Sequence, residues 1–102
     1  MKIAINKCYG RFSVSEAVYK ELGLRWDILG YLNNEVLGIN GNRHNEYRAD
    51  PKLIAAIEKI GVTKASGRRA QIKIVEIPDD VDWIINNYDG MEIVCERYKY
   101  WQ

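Results

Sequence analysis

The chain opens on an alternation. Ile3 and Ile5 fall on one side of the segment Lys2 to Cys8, and Lys2, Ala4 and Asn6 fall on the other. A period of two predicts a half-buried strand. Tyr9-Gly10-Arg11 then turns the chain. Ser13 and Glu16 stand at capping-box spacing, Val14, Ala17, Val18 and Leu22 follow at helical spacing, and Gly23 sits where a helix stops. That pattern predicts a short helix over about Val14 to Leu22.

Leu24 to Tyr47 has no sustained period. Apolar Trp26, Ile28, Leu29 and Leu32 give way to Asn33-Asn34 and then to Asn40-Gly41-Asn42. A short strand or an irregular apolar segment is expected there, followed by a long polar loop. The next helix is far clearer. Asp50 is its N-cap, Pro51 its first residue, Leu53, Ile54, Ile57 and Ile60 its apolar stripe and Gly61 its end. Val62 to Arg69 reads as a basic loop.

Alternation returns from Gln71 to Ile77, with Ile72 and Ile74 inward, and Pro78 closes that strand or places it at an edge. Val81 to Tyr88 and Met91 to Tyr98 flank Asp89-Gly90, a strong two-residue hairpin signal. The turn sets Tyr88 opposite Met91, Asn86 opposite Ile93, Ile84 opposite Cys95 and Asp82 opposite Arg97. A helix over Glu92 to Trp101, with Val94, Tyr98 and Trp101 on one face, is the competing pattern. Strands and helices in separate runs predict an α+β domain spanning residues 1–102. Its mainly antiparallel sheet of about four strands carries two packed helices.

Composition narrows the class. With 102 residues, 47% hydrophobic and 28% charged, the chain is one globular domain's worth. A net charge of +1 supplies no field to draw it onto nucleic acid or an acidic membrane. Cys8 and Cys95 lack CxxC spacing, and His44, the single histidine, does not complete a zinc set with them. The expectation is no metal, no cofactor and two buried thiols. Met1 to Lys7 is too polar for a signal-peptide core, and no apolar run spans a bilayer. A cytoplasmic protein is expected.

Three groups of residues can carry binding chemistry. Asn42, Arg43, His44, Tyr47 and Arg48 concentrate amide, guanidinium, imidazole and phenol groups suited to a nucleobase edge or a phosphate. Arg68 and Arg69, beside Gly67, can grip an anion. Each stretch also has a plain reading as a solvated loop. Tyr98, Tyr100 and Trp101 are interface candidates, for a partner protein or a second copy of the chain. Asp80 and Asp82 share a strand face that can hold a cation, but Ile77-Pro78-Asp79-Asp80 is ordinary turn chemistry. No Walker lysine, GxGxxG, GxSxG or HExxH pattern occurs, so binding is favoured over catalysis.

The blocks Asp50-Pro51-Lys52-Leu53-Ile54, Lys73 to Trp83 and Tyr88-Asp89-Gly90-Met91-Glu92 resemble a family of short proteins from tailed phages and prophages. Met1 to Gly10 and Phe12-Ser13 look similar too. Asn86-Asn87 replaces acidic residues usual in that family, and the ending Glu96 to Gln102 replaces a histidine-bearing basic end. Members mostly carry no assigned activity, so the resemblance transfers no catalytic residue. It implies an accessory protein acting in the host cytoplasm, of the kind that antagonises host defence. Sequestration of a nucleotide-derived signal, such as a cyclic dinucleotide or cyclic ADP-ribose, ranks first. Inhibition of a host protein through the aromatic C-terminal hairpin ranks second, a structural or assembly role third, and an enzyme acting on a nucleotide last.

Overall fold

The computed structural model describes residues 1–41 and 43–97. Along them run β1 (Lys2–Asn6), α1 (Glu16–Glu21), a 3-10 turn (Glu46–Ala49), α2 (Pro51–Ile60), α3 (Val62–Ala65), β2 (Ile72–Glu76), β3 (Trp83–Tyr88) and β4 (Met91–Glu96). The fold is α+β and all its strand pairs are antiparallel. The four strands do not share one sheet. β1 pairs with β2, β3 pairs with β4, and the two ribbons are separate.

This division makes β1 the central element. Ile3 and Ile5 face a cluster with Trp83, Val75 and Val94, while Ala4 joins α2's Leu53 and Ile57 on the other side. The expectation of a half-buried strand is therefore corrected. Ile3, Ala4, Ile5 and Asn6 are all buried, because helices cover one face and the hairpin covers the other. Burying Ile3 alone is worth about 1.5–3 kcal/mol.

The clearest sequence signals hold locally. Asp50 Oδ2 accepts from Leu53 N at 3.2 Å, Pro51 occupies the first turn, and Gly61 ends α2 with φ 95°. The Asp89-Gly90 turn has φ 59° and 98°, the left-handed pair a two-residue hairpin requires. Its register sets Tyr88 opposite Met91, Asn86 opposite Ile93 and Ile84 opposite Cys95, as the turn predicts. Arg97 N donates to Asp82 O at 2.7 Å, and their side chains form an ion pair at 3.2 Å. Met91–Glu96 is strand, not helix, and the helical alternative beyond Arg97 lies outside the described residues.

Elsewhere tertiary contacts override local signals. Ser13 does not cap α1; the N-cap is Ser15, which makes no side-chain capping bond. Ser13 is buried instead, its carbonyl accepting from Gly67 N at 3.0 Å beside a Val14–Ser66 bridge. Val62–Ala65, expected as loop, is a single helical turn that buries Ala65 completely. The described residues between 24 and 45 form no helix or strand and are held by short side-chain bridges. Asp27 Oδ1 accepts from Leu29 N and Gly30 N, and Asn34 links Arg43 O to Tyr47 N.

Candidate functional site

The site begins with one polar residue on an apolar face. β4 directs Glu92 and Val94 to the same side of the hairpin as Trp83 and Ile85. Glu92 is 3% exposed, so its charge needs partners. Arg48 supplies them. Its Nη1 donates to Oε1 at 2.7 Å and its Nη2 to Oε2 at 2.8 Å. Asn6 N donates to Oε1 at 2.8 Å, and Arg48 Nη1 also donates to Ala4 O at 3.1 Å. Burial opposes the Arg48 charge, but the hydrogen bonds and charge of Glu92 outweigh it and hold the guanidinium above its ordinary range. Arg48 Nε is buried without a hydrogen-bond partner among the described residues.

Asn6 carries the same anchorage to the turns. Its fully buried side chain donates from Nδ2 to Gly90 O at 2.7 Å and Cys8 O at 3.0 Å, and Oδ1 accepts from Gln71 N at 2.8 Å. One amide thus ties β1 to the hairpin turn and to the approach to β2.

Above this floor lies a cleft of about 510 Å³. Phe12 and Tyr47 form part of its apolar wall, with Arg48 stacked 3.7 Å over the Phe12 ring. Arg11 stacks 3.7 Å over the Tyr31 ring at the rim. His44, Asn33, Asn45 and Asn87 add further hydrogen-bonding groups. The volume is within the usual range for small-molecule sites. A second cleft, of about 620 Å³, shares Arg11 and Tyr31 with the first and holds Cys8, Arg68 and Arg69.

The residues singled out from sequence therefore separate. His44, Tyr47 and Arg48 converge on the first cleft, and Arg68 and Arg69 line the second. Arg43 is instead a brace for the hairpin, donating to Trp83 O at 3.1 Å and pairing with Asp82. Asp82 thus carries two arginines, Arg43 and Arg97, which leaves little of its carboxylate for a cation. Asn42, Tyr98, Tyr100 and Trp101 lie outside the described residues. Arg11, Tyr31 and Glu92 escaped the sequence reading. Glu92 did leave a signal: alternation sets an acidic residue among the core-facing positions of a strand, which calls for a buried cation.

Both thiols are free and partly buried, with Cys8 Sγ donating to Asn6 Oδ1 at 3.3 Å. Among the described residues no cluster of three His, Cys, Asp or Glu side chains can hold a metal ion, and no helix is long and apolar enough to cross a membrane. Comparison with protein-family models, curated proteins and solved structures finds no match.

Proposed function

We propose that this protein is a non-enzymatic binder that sequesters a nucleotide-derived ligand in the cleft beneath the hairpin. The observation that carries the reading is the Arg11–Tyr31 stack on a cleft of about 510 Å³ with three asparagine amides and His44 in its lining. A guanidinium over an aromatic ring keeps its donors in its own plane, pointing outward, and offers its free face to a base. Asparagine amides present a donor and an acceptor, the pair a base edge demands. The rigid Arg48–Glu92 floor limits the ordering cost of binding. Sequestration needs stoichiometric affinity and no chemical step, in keeping with a chain that carries no known catalytic motif.

The resemblance to short phage proteins supplies the context: a counter-defence protein in the host cytoplasm whose ligand is a cyclic nucleotide or an ADP-ribose type signal. A second reading, inhibition of a host protein, draws support from the outer hairpin face, where Tyr88 is 58% and Ile93 39% exposed. Melting the protein with a panel of cyclic dinucleotides, cyclic ADP-ribose and linear nucleotides tests the first reading. A ligand at a hundred times its Kd stabilises by about 2.7 kcal/mol. A melting point unmoved by every compound would refute it.

A further inference from the structure

The two clefts differ in charge. In the first, Glu92 neutralises Arg48, and the remaining lining is mostly amide and aromatic. The second is lined by Arg11, Arg68 and Arg69 together with Cys8, Tyr9 and Tyr31, and no carboxylate among the described residues lines it. Arg68 and Arg69 are exposed, and none of the three arginines forms an ion pair with the described residues. Three like charges around one hollow repel one another, and an anion among them offsets that repulsion.

Their backbones are also fixed to each other. Arg11 N donates to Arg69 O at 3.0 Å, and Cys8 Sγ lies 3.4 Å from the same carbonyl oxygen. Gly10 makes this approach feasible, since a Cβ there would collide with the Arg69 carbonyl oxygen. Arg11 and Arg69 are therefore presented from a braced junction, and Arg11 stands at the seam between the clefts.

We infer that the two clefts form one bipartite site for a nucleoside pyrophosphate, the base in the amide-lined cleft and the two phosphates on Arg11, Arg68 and Arg69. The inference rests on the nucleotide-binding reading above and selects within it. A pyrophosphate puts adjacent charges on one arginine cluster, where forked donors grip best. The two phosphodiesters of a cyclic dinucleotide are separated by sugars and match a single triad less well.

The test is calorimetric titration with the mono- and diphosphates of the four ribonucleosides, ADP-ribose and cyclic di-AMP. The expected result is a diphosphate or ADP-ribose binding at least tenfold tighter than its monophosphate. Arg68→Ala with Arg69→Ala closes that gap; both side chains are exposed, so the fold is kept. Cys8 gives a second readout. In a Cys95→Ser background its alkylation slows several-fold when the diphosphate saturates the protein, because the phosphates cover the second cleft. Equal binding of mono- and diphosphates, or a gap that survives the double substitution, overturns the bipartite site while leaving nucleotide sequestration intact. So does binding of cyclic di-AMP alone. No binding of any nucleotide overturns both.

Discussion

Arg48 and Glu92, 44 residues apart, meet in a buried two-pronged ion pair that joins the 3-10 turn to the hairpin. Each side chain is almost wholly removed from water, at 6% and 4% exposed. Removing one partner strands the other charge. Glu92→Ala is expected to lose about 3–5 kcal/mol in urea unfolding, and Arg48→Met a similar amount. The double substitution Arg48→Met with Glu92→Leu costs less than either single one, since no charge is left behind. It still leaves Asn6 N and Ala4 O short of a partner each, so it does not reach wild type. Additive losses would show that the pair is not coupled.

Gly90 tests the junction of the hairpin turn with the Tyr9-Gly10 turn. Gly90 and Gly38 both have left-handed φ, 98° and 70°. A Cβ at Gly38 meets nothing, whereas one at Gly90 collides with the Gly10 backbone. Gly38→Ala is expected to cost about 1 kcal/mol from conformation alone. Gly90→Ala costs clearly more and lowers ligand affinity as well, because the collision displaces the turn that carries Arg11. Equal costs at the two positions would mean that the hairpin turn does not press on the Gly10 backbone.

Tyr19 gives the protein a stability slope at high pH. Burial pushes its phenol up from 10.0 to about 12, with Asp27 adding to the shift. Its hydroxyl donates to Tyr31 O at 2.6 Å. Between those two values the unfolded chain has lost the proton and the folded chain keeps it, so stability falls as pH rises. The contribution is complete below 10.0 and gone above about 12. Tyr19→Phe should therefore cost about 1 kcal/mol at neutral pH. That deficit shrinks as pH climbs through the window, as paired urea titrations would record. A deficit that stayed constant would mean an unshifted phenol.

How much of this was legible beforehand follows from the range of each interaction. Asp50, Pro51 and Gly61 act within one helix, and Asp89-Gly90 fixes a register between adjacent strands, so α2 and the hairpin could be read directly. The failures are long-range. Ser13 reads as a cap, but the Ser66-Gly67 segment claims its backbone. The alternation of β1 announces one buried face, and nothing in it announces the hairpin that covers the other. For the site, His44, Tyr47 and Arg48 were found by composition, yet Arg43 in the same stretch is a brace for the hairpin. Arg11 and Tyr31 are 20 positions apart and acquire meaning only once their stacking is seen.

Sequestration requires that the chain bind a nucleotide-derived ligand and return it unchanged. Equilibrium dialysis against the best ligand of the panel, followed by denaturation and recovery of the compound, tests it most directly. Saturation near one ligand per chain, recovery of intact ligand and at least a tenfold loss of affinity in Arg11→Ala are expected. A chemically altered ligand, or retention unaffected by Arg11→Ala, would contradict it.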